Sequence, residues 1–344
     1  ASGNRTGKTG NIGHKYARPN DIEGGATMPR INELRMIARV AQMYHVDGKR
    51  QAEIADILRI SQATISRMLK KAVAEDIVRT TIVAPAGTYD TLEAGLRAQY
   101  GLPEVIVVDC AEDRDTDIMA RIGEAAAHFL ETTLRTDEII GVSSWSETIQ
   151  RMVDNIHPMR QGSAKYVVQT LGGMGNPAVQ THATQLTTRL AKLTGAVPQL
   201  LSAPGLAATS EAKGILVSDP FVRRTMDLFD SISLAVVGIG AIEPSRLLAG
   251  SGNVFSANEL AELSKAGAVG DISLRFFDES GAAVEITLNE RVIGMNRDQL
   301  AKVDRVIGLA GGQSKTTAIL GALRTGILDV LITDKFTAER LLAL

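Results

Sequence analysis

Apolar positions change their spacing once along this chain, and the change divides it. Between Asn32 and Asp76 they recur at helical intervals. Leu34, Ile37, Ala38, Ala41 and Met43 predict a helix over Asn32–His45, closed by Asp47-Gly48. Ile54, Ala55 and Leu58 put a stripe on a second, short helix starting near Gln51. Ser61 is placed to cap a third helix running to about Asp76. On it Ile65, Met68 and Leu69 turn inward, and Gln62, Ala63, Thr64, Ser66, Arg67 and Lys70 turn outward. Two short helices joined by a tight turn, the second bearing amide, hydroxyl and basic groups, form a helix-turn-helix. Arg59 stands in that turn where glycine is common, so a departure from the usual left-handed turn is expected there. Ile77–Val83 alternates like a strand and would form a small wing, Ala84–Gly87 reads as a linker, and Tyr89–Tyr100 reads as a connecting helix. Residues 1–31 show no period and read as a disordered arm.

From Glu104 onward, short β-branched runs alternate with helical stretches. The runs are Val105–Asp109, Ile139–Val142, Tyr166–Leu171, Pro198–Ser202, Ile232–Gly238, Val306–Ala310 and Val330–Thr333. The helical stretches are Asp117–Leu134, Thr148–Ile156, Ala178–Leu193, Asp219–Phe229, Ala257–Lys265 and Thr316–Arg324. This alternation predicts a mainly parallel sheet covered on both faces. Ala268–Thr287 differs, and reads as a hairpin turning at Glu279-Ser280-Gly281. The expected fold class is α/β, with a small all-helical, winged helix-turn-helix head over 32–83 and a linker and connecting helix over 84–101. A larger, mainly parallel α/β domain follows over 102–344.

Ligands of such sheets bind at the carboxyl ends of the strands. Four loops stand there: Gly141–Thr148, dense in hydroxyls; Leu171–Asn176 with Gly172, Gly173 and Met174; Gly238-Ile-Gly240; and Ala310–Lys315 with Gly311 and Gly312. Glycines let backbone approach a ligand, and amides at helix starts favour anions or hydroxyl oxygens. Together they predict a polar small-molecule pocket.

Composition narrows the choice. The 344 residues are 44% hydrophobic but only 4% aromatic, so the core is aliphatic. No apolar run is long enough to span a bilayer, and no secretory signal is visible. The single cysteine, Cys110, fits a reducing cytoplasm and reads as buried filler. His14, His45, His128, His157 and His182 lack metal-ligand spacing, so neither metal nor cofactor is expected. Residues 33–80 carry nine Lys/Arg against six Asp/Glu, and residues 1–32 carry five against two, in a chain of net charge −2. A mildly basic head therefore rides on an acidic body, as a DNA-binding module joined to a non-DNA-binding domain should show. The excess is small, so paired heads are needed for useful affinity. Base contacts are expected from Gln62, Thr64 and Arg67. Gln51, Ser61, Ala63 and Ser66 complete the DNA-binding set, and Lys70 and Lys71, with Lys49 and Arg50, are read as phosphate contacts.

The loop Gly141–Thr148, the run Gly267–Asp278, and the segments Val306–Ile319 and Ile327–Ala338 resemble the sugar-binding domain of SorC-type transcriptional regulators. The resemblance covers about residues 32–344. It implies a bacterial operon regulator with a sugar, polyol or sugar-phosphate effector, double-stranded operator DNA as partner, and a homotetramer built as a dimer of dimers. It also implies an effector domain similar to sugar-phosphate isomerase and deaminase folds. By position, it assigns Ser143, Ser144, Trp145, Ser146 and Thr148 to the first ligand loop and Gly172, Gly173 and Met174 to the second. Asp271 offers a carboxylate to sugar hydroxyls, and Lys315 meets a phosphate or hydroxyl. The first loop is one residue longer than the commoner family pattern and carries Glu147 where a neutral or basic residue is usual, and Lys315 is the one cation among these loops. Phosphorylated and unphosphorylated effectors therefore both stay open. Trp145 would either stack on a sugar or fill the core; Asp271 would either meet ligand or bond its own turn; Lys315 would either meet ligand or be solvated. The rival class is an isomerase- or deaminase-like enzyme with a DNA-binding appendage, for which Glu147 and Asp271 are the only candidate bases.

Overall fold

The structure, a computed structural model, describes residues 28–78, 87–159, 163–173, 177–242 and 255–344. The chain divides into two compact units, Ala1–Val83 and Ala84–Leu344.

In the first unit, helices α1 (Met28–His45), α2 (Gln51–Leu58) and α3 (Gln62–Ala74) enclose a small core. Ile37, Val40, Ile54, Ile65 and Ala72 are its fully buried members. Ser61 caps α3 as the sequence suggests, its Oγ accepting the Thr64 N–H at 3.2 Å. The turn before it corrects the expectation for Arg59, which adopts the left-handed conformation with φ 53°. A left-handed residue costs about 1–2 kcal/mol. Here the Arg59 N–H bonds back to α2 carbonyls and the Ile60 N–H reaches Ala55 O at 3.1 Å, so the helix end's hydrogen bonds outweigh the strain. Of the expected wing, residues 79–83 lie outside the described residues.

The second unit is built on a seven-stranded sheet, all of its pairings parallel. Its strands are β1 (Glu104–Val108), β2 (Glu138–Val142), β3 (Ala164–Gln169), β4 (Val197–Gln199), β5 (Leu234–Gly238), β9 (Arg305–Leu309) and β10 (Val330–Asp334), in the order β1-β10-β9-β5-β2-β3-β4. All seven are runs the sequence predicted. Parallel strands are buried on both faces, which leaves unbroken β-branched runs in the sequence. Successive residues go to opposite cores. Leu234 and Val236 meet Ile118, Ile122, Ile149 and Leu190 from helices α5 (Asp115–Thr133), α6 (Glu147–Asn155) and α7 (Pro177–Thr194). Ala235 and Val237 meet Leu96, Ile319 and Leu341 on the other side. Leu96 belongs to α4 (Asp90–Tyr100), so the helix read as a connector is core of this unit; Tyr100 Oη also donates to Leu341 O at 2.7 Å.

A three-stranded sheet, β6 (Gly240–Ala241), β7 (Ala268–Ile272) and β8 (Arg275–Asp278), stands off the carboxyl end of β5. The β7–β8 hairpin turns at Ser273-Leu274, which the sequence did not predict, and the chain turns back again at Glu279–Gly281, the expected place, where Phe277 pairs antiparallel with Ala283. Ser273 and Leu274 both have positive φ, 54° and 61°, the requirement of a two-residue turn that Asn-Gly normally signals. Glu279–Gly281 forms a separate turn, held by Asp278, whose Oδ1 accepts the Ser280 and Ala282 N–H groups. Helix Ser210–Ser218, which the pattern did not predict, follows β4.

Helix α6, which presents the first ligand loop, lies unusually close to α5. A methyl group at Gly123 would sit 2.5 Å from Arg151 Cβ and 2.8 Å from the Arg151 carbonyl carbon. Gly123→Ala is expected to force the helices apart at a cost of about 1–3 kcal/mol. Urea denaturation would show a lowered midpoint; an unchanged midpoint would contradict this packing.

Candidate functional site

Strand order reverses beside β2: the chain runs outward through β3 and β4, then returns to β2's other side with β5. The crevice above such a switch point is where open α/β sheets hold ligands. The loops after β2, β5 and β9 meet there, with β7 of the small sheet beside them.

Close approach fixes their geometry. A methyl at Gly238 would stand 2.7 Å from Ser146 Oγ, and one at Gly240 would overlap Asp271 Oδ1. Gly312 takes φ 96°, a conformation suited to glycine, and a methyl there would meet Asp115 Oδ1 at 2.6 Å. Its N–H donates to Asp334 Oδ2 at 3.1 Å and to Thr337 Oγ1 at 2.8 Å. This anchors the Gly311-Gly312 loop that leads to Lys315, just before the helix Thr316–Arg324.

Asp271 and Lys315 carry the site's electrostatics, and both are half-buried. Burial pushes the Asp271 carboxyl up to about 6, against the Leu274 N–H it accepts at 2.8 Å and the charge of Lys315. Burial pushes the Lys315 ammonium below its usual value, against the pull of the Asp271, Asp115 and Glu147 carboxylates. Arg275, close to Asp271 in sequence, is committed elsewhere: its guanidinium donates to the Met295, Gly294 and Asn289 carbonyls.

The hydroxyl-rich loop after β2 divides. Ser146 and Glu147 are half-buried, and Ser146 Oγ caps α6 by accepting the Ile149 N–H at 3.3 Å. Ser144 is fully buried, its Oγ 3.1 Å from Thr187 Oγ1 on α7, and Ser143 and Thr148 are buried too. Trp145 is 5% exposed and packs with Leu171 and Leu288. Its Nε1 donates to Gly172 O at 3.0 Å, so the indole braces the β2 loop against the β3 loop rather than offering a face to ligand. Gly172 and Gly173 lie in that second loop, the first against the Pro204 carbonyl and the second against Gln169 Nε2. Met174 falls outside the described residues. Asp271 does bond its own turn, through Oδ2, while Oδ1 lies against Gly240. Sequence reasoning missed Asp115 and Asp334. Asp334 ends β10 and Asp115 opens α5 in the connection that follows β1, so position at the end of an element is the one signal that could have found them.

In the first unit, Gln62, Ala63, Arg67 and Lys70 are exposed along one side of α3, and Gln51 and Ser66 are half-exposed. Thr64 Oγ1 is 2.8 Å from Ser61 Oγ and accepts from Arg67 Nη2 at 3.2 Å, so its hydroxyl is already engaged. Lys71 Nζ donates to Glu33 Oε1 at 2.6 Å, which partly offsets its charge.

The family model for a sugar-binding domain matches residues 85–343, well over half of the chain. The chain belongs to the SorC-type family of transcriptional regulators. This SorC-type chain is 31% identical to the deoxyribonucleoside regulator of Bacillus subtilis over 301 residues, 88% of this chain and 95% of that one. The full-length sorbitol operon regulator SorC from Klebsiella pneumoniae matches with a TM-score of 0.69 at 27% identity, covering 90% of this chain and 98% of that one. The sugar-binding domain of the transcriptional regulator DeoR from Pseudomonas syringae pv. tomato matches with a TM-score of 0.59 at 42% identity, covering 73% and 97%. The SorC-type chain is thus a transcriptional regulator with a helical head and an α/β sugar-binding domain.

The Asp271 carboxyl titrates near 6 in the fold against 3.8 unfolded, so the folded chain holds that proton more tightly. Its stabilising contribution is complete below the unfolded value and is lost as pH rises through the folded one. Asp271→Asn keeps an oxygen for Leu274. It is expected to exceed the parent in stability near pH 8, on the order of 1–3 kcal/mol, with the gain closing toward pH 4. Urea melts at the two pH values check this, and an equal gain at both would show that Asp271 is not held protonated by burial.

Proposed function

We propose that this regulator binds operator DNA through α3 and that a sugar, polyol or sugar-phosphate effector in the crevice above β2, β5 and β9 controls it. The observation that carries the reading is convergence. Three loops and a hairpin bring Ser146, Glu147, Asp271 and Lys315 to the switch point of a sheet that belongs to a sugar-binding family. The relatives' names, sorbitol operon regulator and deoxyribonucleoside regulator, support a carbohydrate or polyol operon as the target.

Base contacts come from Gln62, Ala63 and Arg67, and phosphate contacts from Lys70 and, once released from Glu33, Lys71. Gln51, Ser61, Thr64 and Ser66 set the helix against the duplex. The weak positive charge of one head makes paired heads necessary, which a homotetramer arranged as a dimer of dimers supplies in the bacterial cytoplasm. The crevice is read as binding without turnover: the Asp271 carboxylate is engaged by its own turn through Oδ2, and the relatives that match are named regulators.

Two variants separate the halves of this function. Arg67→Ala is expected to lower operator affinity at least tenfold, about 1.4 kcal/mol or more, with ligand-induced thermal shifts unchanged. Lys315→Ala is expected to abolish those shifts, measured over a panel of sugars, polyols and their phosphates, while sparing DNA binding in their absence. Parental operator binding by the first variant, parental shifts in the second, or turnover of any sugar phosphate would each defeat the corresponding assignment.

A further inference from the structure

Charge in the crevice narrows the class of effector, given that the crevice is the effector site. Lys315 is the one cation that acts on Asp271 among the described residues, and three carboxylates, Asp271, Asp115 and Glu147, act on Lys315. Asp115 is pressed against the Gly312 backbone of the loop that leads to Lys315, and Glu147 opens α6 directly after Ser146. Arg275 has spent its donors on backbone carbonyls. A phosphate monoester brings close to two negative charges and needs several charge-assisted donors. Among the described residues, this crevice would give it one ammonium, already outnumbered by carboxylates.

The same groups suit hydroxyls. Asp271 Oδ1 and the Glu147 carboxylate accept O–H bonds, and Lys315 donates to a hydroxyl oxygen. Two hydroxyls at the same edge, Thr170 Oγ1 after β3 and Thr316 Oγ1 beside Lys315, are buried and have no hydrogen-bond partner among the described residues. A buried hydroxyl without a partner is costly.

We infer that the effector is an uncharged sugar or polyol whose hydroxyls bridge Asp271, Glu147 and Lys315, and that its phosphate ester is rejected by the surplus of carboxylates. Glu147 is then the specificity residue. It opens α6 at the crevice and acts on Lys315, and removing its charge should let phosphate in.

Calorimetric titration of the full chain with matched pairs tests this: sorbitol and sorbitol 6-phosphate, ribitol and ribitol 5-phosphate, deoxyribose and deoxyribose 5-phosphate, and the equivalent C4 and C6 polyol and aldose pairs. The expected result is saturable binding of at least one free compound, tenfold or more tighter than its ester. In Glu147→Gln that gap should narrow at least threefold through tighter ester binding. An ester that binds more tightly than its free parent overturns the uncharged-ligand inference and leaves the effector crevice standing. Binding of a free compound that is unchanged by both Glu147→Gln and Lys315→Ala overturns the crevice reading itself, and so does the absence of binding by every member of the panel. Inorganic phosphate supplies an arm independent of the panel: at millimolar concentration it should leave the parental melting temperature unchanged, and stabilisation reversed by Lys315→Ala would count against the inference.

Discussion

One buried carboxylate holds the candidate site in place. Asp334 ends β10 with no solvent exposure, and such a group is tolerable only where donors replace its water. It has them from two directions. Thr337 donates through its N–H at 2.9 Å and its hydroxyl at 2.6 Å, and Gly312 donates its N–H at 3.1 Å. The first two start the terminal helix, Lys335–Leu342, and the third fastens the loop that leads to Lys315. At Gly311 a side chain would overlap the Asp334 carboxylate, so the glycine pair and the acid depend on each other. The position of Lys315, and hence its balance against Asp271, Asp115 and Glu147, follows from that anchorage.

The same helix reaches the other end of the unit. Lys335 pairs with Asp109 at 2.7 Å, and Asp109 also accepts the Tyr89 hydroxyl at 2.6 Å; at its far end the Leu341 carbonyl accepts the Tyr100 hydroxyl. The Gly312–Lys315 loop and α4, the first helix of the larger unit, are thus fastened to one element. Contiguity alone does not make coupling. A ligand changes the output only if it binds one arrangement of the Gly312–Lys315 loop better than another. By the same linkage, operator DNA must then change effector affinity by an equal factor.

What the sequence made legible was what burial repeats. The inner strands of the parallel sheet were readable because burial on both faces writes a β-branched run, the edge strand β4 was readable from its place in the alternation, and α3 was readable because Ile65 and Leu69 recur on one side beneath a Ser61 cap. Departures came where a tertiary interaction overrides local preference. Arg59 adopts the left-handed turn because the end of α2 supplies hydrogen bonds, and Ser273-Leu274 turns without glycine or asparagine. The hydroxyl-dense β2 loop suggested five ligand groups in a row. Composition could not show that Ser144 pairs with Thr187 or that Trp145 turns inward to Gly172. Asp115 and Asp334 went unseen because acids at the ends of helices and strands are common, and only the fold brings them to the same loop.

Asp271 joins the strain of the small sheet to the chemistry of the crevice. Two consecutive left-handed residues that are not glycine cost about 1–2 kcal/mol each, and Ser273 and Leu274 are both buried, with no solvent to relieve them. The Asp271 Oδ2 bond to the Leu274 N–H offsets part of that strain. Oδ1, held against Gly240, is the oxygen turned away from the turn. Because burial raises this carboxyl to about 6, its charge near neutral pH is sustained against desolvation by the turn amide and by Lys315. A ligand hydroxyl donated to Oδ1 would add a third stabilising contact to the ionised form, tighten the carboxylate's hold on the turn, and draw Lys315 toward the same point. The hairpin and the Gly312 loop would then respond to one ligand together, since the Asp271 and Lys315 charges already act on each other before it arrives.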